Sequence, residues 1–195
     1  MRRAKTGNIL YKAIAGGIGE ARQVIELMVS VKVSTSSDLR PVDISKIPSL
    51  MGPLDRTVVA TYSRVAGDID GHLAFLYEPG AAETLAALVT GQDRPDPELG
   101  ASALCEVSNV AGSRILNFLS DASGLRILPT PPILVSDMAG AILQSVLYDL
   151  APFGNEAMVL KTDIRLQERG VMGMMVLIPS KDSLARLLDG LGRQQ

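Results

Sequence analysis

The sequence contains no tryptophan, and three phenylalanines and four tyrosines are its only aromatic residues apart from histidine. A hydrophobic core must therefore be built mainly from leucine, valine, isoleucine, alanine and methionine. The apolar fraction is 47% and the mean hydropathy is +0.23, yet no apolar run approaches the roughly 20 residues that a membrane span needs. The 195 residues fit one large domain or two small halves that share a core.

Cysteine and histidine are equally scarce. Cys105 is the only cysteine, which excludes an internal disulfide, and the absence of a Cys/His cluster argues against a zinc site. Cys105 precedes Glu106, so a cysteine-dependent enzyme has to be considered. No base is evident for it, because the only histidine, His72, lies far away in a predicted strand. A small packed cysteine and a structural histidine are the favoured interpretations.

Strong charge is also missing. The net charge is −2, which gives no electrostatic reason for nucleic-acid binding. Neither GxxxxGK[ST] nor GxGxxG occurs, so no nucleotide-binding fingerprint is present. The N-terminus is basic at Arg2, Arg3 and Lys5, but Gly16 and Gly17 interrupt the apolar stretch that a signal peptide would need. We expect a cytoplasmic protein.

Hydrophobic periodicity and turn residues predict alternating helices and strands. Asn8 is a candidate N-cap for the first helix, and Asp137 opens the fourth. The predicted helices cover residues 8–30, 80–90, 100–120, 139–150 and 181–189. The predicted strands cover residues 31–34, 56–66, 70–77, 156–167 and 171–178, with extended chain over 124–135. The stretch after residue 34 is predicted to be loops up to Pro53, and residues 91–100 are predicted to be a linker.

The element order repeats along the chain, which indicates an internal duplication. LAALVTG at 85–91 matches LARLLDG at 184–190, and each half offers a long helix, a loop, a hairpin and a second helix. The two halves are predicted to span about residues 8–91 and 100–190 of a single domain. Antiparallel strands from both halves, covered by helices, give an α+β fold.

The helix that opens the second half carries polar residues on one face. Ser102, Glu106 and Asn109 are spaced i, i+4, i+7, which places them within roughly a 60° arc. Such a face is usually just solvated. Asn109, however, is a poor mid-helix residue, and Gly112 costs about 1 kcal/mol relative to alanine, so propensity does not explain either. The residues predicted to face the core are Leu104, Val107, Ala111, Ile115 and Phe118.

The pattern Ser102-x3-Glu106-x2-Asn109-x22-Pro132 resembles the signature of the CheC/CheX/FliY phosphatases of bacterial and archaeal chemotaxis. All four positions match without adjustment of spacing. The GDIDG turn at 67–71 and the order of elements extend the resemblance over nearly the whole chain. The resemblance implies a pseudo-twofold antiparallel sheet with two long helices on one side.

It also implies a function, hydrolysis of the aspartyl phosphate of a CheY-type response regulator that brings its own Mg²⁺ and a lysine. No cofactor of the chain itself is expected. Asn109 would hold the attacking water and Glu106 would pair with the regulator's lysine. Ser102 would support the helix start or contact the partner, Gly112 would let the partner come close, and Pro132 would be structural.

The first helix departs from family members with two sites. Aligned on Gly19 and Gly112, it places Ala13 opposite Glu106 and Gly16 opposite Asn109. Neither Ala13 nor Gly16 can pair a charge or orient water, so one active site is expected, on the second long helix. The alternative is a non-catalytic adaptor, similar to CheC relatives that bind the receptor deamidase CheD or to FliM-like switch proteins. The intact Glu106 and Asn109 argue against that alternative.

Overall fold

The computed structural model describes residues 2–150, 156–167 and 170–194, with side chains for all of these except residues 2–8, 50–51, 145–150 and 170–172. The helices are α1 (Arg2–Val29), α2 (Pro79–Thr90), α3 (Pro97–Ser123), α4 (Ala139–Leu150) and α5 (Lys181–Arg193). The strands are β1 (Val33–Asp43), β2 (Thr57–Gly67), β3 (Gly71–Tyr77), β4 (Ile127–Pro129), β5 (Ile133–Met138), β6 (Glu156–Leu166) and β7 (Gly170–Pro179). Short 3₁₀ turns occupy Ile44–Lys46 and Pro48–Met51.

All strands join one antiparallel sheet in the order β1-β6-β7-β3-β2-β4, and β5 also pairs with β2. Strands β3 and β7 lie at the centre. Strand β1 pairs with β6, whereas β4 and β5 pair with β2, so each predicted half adds a strand to the edge of the other. Strands of the two predicted halves are thus interleaved in one sheet; the single domain and its internal duplication stay predictions.

The sheet buries apolar residues on both faces. Helices α1, α2, α3 and α5 cover one face, where they pack on strand residues such as Leu73, Phe75 and Met175. Helix α4 and the 3₁₀ turns cover part of the other face, over residues such as Val58 and Val176. The predicted α+β architecture with two long helices on one side is therefore confirmed. None of the helices in the described parts of the chain is both long and apolar enough to cross a membrane.

Local signals placed most elements correctly, including the β2–β3 hairpin and helices α2 and α5. The prediction for the chain after residue 34 was wrong, because β1 continues to Asp43 and pairs with β6 over all 11 residues. This segment is an edge strand rich in serine, so it shows little hydrophobic alternation. Pro41 is tolerated there because one side of an edge strand has no neighbouring strand, so a residue without an amide hydrogen need not interrupt the ladder.

The long helices begin earlier than predicted. Helix α1 begins at Arg2, so Asn8 lies inside it and is not its N-cap. Helix α3 begins at Pro97, because the Asp96 side chain accepts hydrogen bonds from the amides of Glu98 and Leu99. An aspartate N-cap followed by proline at the first helical position is a favoured helix start. The linker therefore ends before Pro97.

The turn after β2 requires glycine at residue 67, which yields a stability prediction. Gly67 has φ +115°, and a Cβ atom there would collide with the carbonyl oxygen of Arg126. We expect Gly67→Ala to lower the free energy of unfolding by about 2–4 kcal/mol. Gly19→Ala is the matched control, because a Cβ at Gly19 meets nothing within 4 Å and should stabilise α1 by up to about 1 kcal/mol. Urea denaturation of both variants checks this; equal stabilities would contradict it.

Candidate functional site

Glu106 and Asn109 lie one helical turn apart on the outer surface of α3. Glu106 is exposed and Asn109 is half-buried. Residues spaced i, i+3 on a helix have Cβ atoms about 5–6 Å apart, so one partner group can reach both side chains. The predicted outward orientation of this pair is confirmed, and the catalytic roles of the two residues remain predictions.

The opposite side of α3 fixes this orientation. A continuous stripe of small and apolar residues packs on the sheet and on α1, and it includes four of the five predicted core residues. The fifth, Phe118, is half-buried against α1. Beneath the helix, the Thr61 hydroxyl donates to Ser108 Oγ at 2.5 Å, and Ser108 Oγ donates to the Leu104 carbonyl at 2.9 Å. The buried residues are Ala103, Leu104, Val107, Ser108, Ala111, Gly112, Ile115, Leu116, Leu119 and Ser123.

Neither Glu106 nor Asn109 makes a hydrogen bond or an ion pair with any residue that the structure describes. The amide of Asn109 therefore keeps its donors and its acceptor free, and the Glu106 carboxylate keeps its charge uncompensated by a neighbouring cation. Ser102 is exposed on the same side of α3. It lies in the second turn, so it does not begin the helix; its contact with a partner remains a prediction.

Gly112 does not belong to this outer surface. It is buried, and a Cβ atom on it would lie 2.6 Å from Leu73 Cδ2 on the central strand β3. The expectation that Gly112 lets a partner come close is therefore wrong. The glycine instead lets α3 approach the sheet, which is a packing role that the helical spacing alone did not distinguish.

Cys105 and His72 have ordinary structural settings. Cys105 is half-buried, and this burial raises the pKa of its thiol, so the reactive thiolate is disfavoured at neutral pH. His72 is buried on β3, and its Nδ1 shares a 2.8 Å hydrogen bond with the Tyr62 hydroxyl. The cysteine-dependent enzyme is thus not supported by the geometry.

Pro132 lies in the three-residue break between β4 and β5, at the edge of the sheet. Prolines at 131 and 132 have no amide hydrogen, which interrupts the ladder with β2, while the Thr130 amide still donates to the Arg64 carbonyl at 2.8 Å. A structural role for Pro132 in the edge strand remains the prediction.

The outer face of α3 that carries Glu106 and Asn109 is exposed or half-buried. A cleft of about 1170 Å³ lies between α2 and the first turns of α3, where small residues such as Ala86, Gly100 and Ala101 line it. Neither Glu106 nor Asn109 lines this cleft. The pair therefore lies on the helix surface outside this cleft.

The structure corrects the alignment of the two long helices by one residue. Helix α1 is followed by Ser30 at φ 54° and α3 by Gly124 at φ 69°, and these two left-handed residues are 94 positions apart. The next strands begin at Val33 and Ile127, again 94 positions apart. With this shift, every buried residue of α1 falls on a buried residue of α3. The buried α1 residues are Leu10, Ala13, Ile14, Gly17, Ile18, Ala21, Ile25 and Val29.

The positions equivalent to Glu106 and Asn109 are therefore Lys12 and Ala15, and both are exposed. The predicted counterparts do not share this setting, because Ala13 is buried and Gly16 lies against the ring of Phe118. Aligning the glycines caused the error. Aligning the apolar residues of the two helices would have revealed the correct register. The absence of a Glu/Asn pair on α1 holds in either alignment.

The matching motifs at 85–91 and 184–190 also differ in structure. Gly91 ends α2 in a left-handed conformation with φ 68°. Gly190, by contrast, lies inside α5, where it is buried against the backbone of Ser123. The two glycines thus have different structural roles, so this sequence match does not mark equivalent helix ends.

Comparisons with known proteins agree with the family resemblance of the sequence pattern. The chain is 26% identical over 155 residues to the CheY-P phosphatase CheC of Bacillus subtilis (strain 168), covering 75% of this chain and 74% of that protein. Its fold is similar to that of Thermotoga maritima FliY, with a TM-score of 0.77, 13% identity and 98% of each chain covered. It is also similar to a chain of the CheX–CheY–BeF₃–Mg complex from Borrelia burgdorferi, with a TM-score of 0.62, 14% identity and coverage of 88% and 97%. No family model matches the chain.

Proposed function

Because this chain belongs to the CheC/CheX/FliY family, we propose that it hydrolyses the aspartyl phosphate of a CheY-type response regulator at one active site on α3. The observation that carries the proposal is the pair of outward, unpartnered side chains, Glu106 and Asn109, on the outer surface of α3. The surface would insert this pair into the regulator's own phosphorylation site.

The regulator would supply most of the reacting groups, namely the aspartyl phosphate, a bound Mg²⁺ and a lysine. The missing component is a water molecule held in line with the bond from phosphorus to the aspartate oxygen. Asn109 would accept a hydrogen bond from that water and donate one to the phosphoryl group. The water oxygen bonds to phosphorus, the aspartate carboxylate leaves, and the water's proton ends on inorganic phosphate. Phosphoryl transfer depends chiefly on positioning and electrostatics, so one amide can have a large effect.

Glu106 would form a charge-assisted contact with the regulator's lysine and thereby set the register of α3 on its partner. A single carboxylate and a single amide cannot enclose a substrate. In this proposal they do not need to, because the regulator's own phosphorylation site holds the phosphoryl group. No covalent intermediate forms on the chain.

The test is decay of the acyl phosphate of a cognate CheY-type regulator, with and without the protein. A severalfold faster decay at substoichiometric protein supports the proposal. Binding of the regulator without faster decay would instead identify the alternative, a non-catalytic CheC-like or FliM-like adaptor. CheD is proposed as a further partner, and its test is co-purification with the purified chain.

The corrected alignment predicts where a second site can be installed. Lys12→Glu with Ala15→Asn, made in an Asn109→Ala background, should raise the decay rate at saturating regulator at least about tenfold above that background, because both positions are exposed at the spacing of the α3 pair. The matched control is Ala13→Glu with Gly16→Asn, which should restore nothing and should destabilise the fold. Rescue by the control pair alone would show that the alignment on glycines was correct.

A further inference from the structure

We infer that Leu27 and Leu99 form an apolar rim beside Glu106, against which the CheY-type regulator docks. This inference rests on the proposed function and adds the contacts that hold the regulator in place. The docking rim is defined here as these two leucines, one on each long helix.

The packing of α1 on α3 places Leu27 beside the Glu106 turn. Gly16 lies against Phe118, and a Cβ on the next residue, Gly17, would be 3.1 Å from the backbone of Ile115. Successive residues of α1 thus meet earlier residues of α3, so the helices run antiparallel. Leu27 lies 11 residues, or about three turns, after Gly16, on the same side of α1.

On α3, the residue 11 positions before Phe118 is Val107, which is next to Glu106. The antiparallel packing therefore places Leu27 level with the turn that carries Glu106. At the other end of the helix pair, the Phe118 ring lies over Gly16.

Both leucines expose apolar surface, and burial of this surface by a partner would be favourable. Leu27 is 79% exposed, which is the largest value among the large hydrophobic residues of the described chain. Leu99 is 37% exposed and lies on the outer face of α3 with Ser102 and Glu106, at i, i+3 and i+7. Single exposed leucines are common on protein surfaces, but two that flank an unpartnered carboxylate form a surface with the composition of a binding site.

The charges around the rim indicate what the partner offers. Glu26 is already neutralised, since its Oε1 accepts hydrogen bonds from Arg22 Nη1 at 2.7 Å and from the Val33 amide at 2.9 Å. Glu106 has no such partner among the described residues. The rim therefore suits a partner surface that presents one cation beside apolar groups, as the proposed contact of Glu106 with the regulator's lysine requires.

The pseudo-equivalent end of the helix pair lacks these features. A shift of 94 positions relates Leu27 to Asp121 and Glu106 to Lys12, and both Asp121 and Lys12 are exposed. That end presents an acid in place of the leucine and a cation in place of the carboxylate. The docking surface is thus present once, at the same end as Glu106 and Asn109.

The experiment compares wild type with Leu27→Gln, a neutral change that keeps helix propensity and leaves the charge near Glu106 unaltered. Two quantities are measured: KM and kcat for decay of the phosphorylated regulator, and the Kd for the same regulator activated with beryllofluoride. We expect about a tenfold increase in KM and in Kd, with kcat within about twofold of wild type. Leu99→Gln should act in the same direction, and the two changes together should exceed either alone.

Tyr11→Gln is the control, because Tyr11 is a 50% exposed hydrophobic residue on α1, more than four turns from Leu27 and on another flank. It should leave KM, kcat and Kd unchanged. If Leu27→Gln has the same KM and Kd as wild type, and the wild-type protein does accelerate decay, the docking rim is refuted and the proposed function stands. Binding without turnover in wild type would refute the proposed function, and the Kd of Leu27→Gln would then decide the rim alone. No binding in wild type would refute both.

Discussion

Asn109→Ala should lower the kcat of regulator dephosphorylation about a hundredfold while the Kd for the activated regulator stays within about twofold. Under the proposed mechanism, truncation removes the amide that would orient the attacking water. Removal of one positioned hydrogen-bonding group from a reacting centre typically costs about 10²–10³ in kcat. Stopped-flow measurement of acyl-phosphate decay at saturating regulator gives kcat directly.

Two further variants sharpen this test. Asn117→Ala removes an exposed asparagine two turns later on α3 and should leave kcat unchanged. Asn109→Asp keeps the shape of the side chain but removes the donor and brings a negative charge toward the phosphoryl group, so its kcat should fall at least as far as that of the alanine variant. Wild-type turnover by Asn109→Ala would remove the water-positioning role.

Glu106→Gln should raise KM at least about tenfold and also lower kcat. A hydrogen bond between ionised groups contributes about 1.5–3 kcal/mol, and the amide of glutamine retains the shape without the charge. The lysine it would contact also belongs to the reacting site, so loss of the pair disturbs both docking and geometry. Steady-state decay kinetics at several regulator concentrations separate the two effects.

Salt provides an independent check on Glu106. The wild-type KM should rise with ionic strength, and the KM of Glu106→Gln should rise less, because one attractive charge pair has gone. Asp121→Asn is the matched control at the far end of the same helix face. It should leave kcat, KM and the salt dependence of KM as they are in wild type. If Glu106→Gln and Asp121→Asn behave alike, no specific cation faces Glu106.

The candidate pair could be found from the sequence because helix faces follow a local rule. With 3.6 residues per turn, Leu104, Val107 and Ala111 fall on one side of α3, and Glu106 and Asn109 fall elsewhere. No contact with a distant segment is needed to reach that conclusion. The same local rules predicted the β2–β3 hairpin and the helix after it.

Other features depended on contacts between residues far apart in the chain. Gly112 lies close to the outer stripe in helical spacing, but the position of Leu73 on β3 decided that it faces the sheet. Strand β1 has weak alternation of its own, and its 11-residue pairing with β6 comes from the opposite half of the chain. The docking rim likewise required the antiparallel packing of α1 on α3, since Leu27 and Glu106 are 79 residues apart in sequence.

The sequence by itself determined most helices and strands of the second half and the outward pair on α3, because hydrophobic periodicity acts between near neighbours. Only the tertiary structure decided the order of the strands and the inward role of Gly112. Those features depend on which distant surfaces pack together, and the free energy of that packing is shared among many residues of both halves.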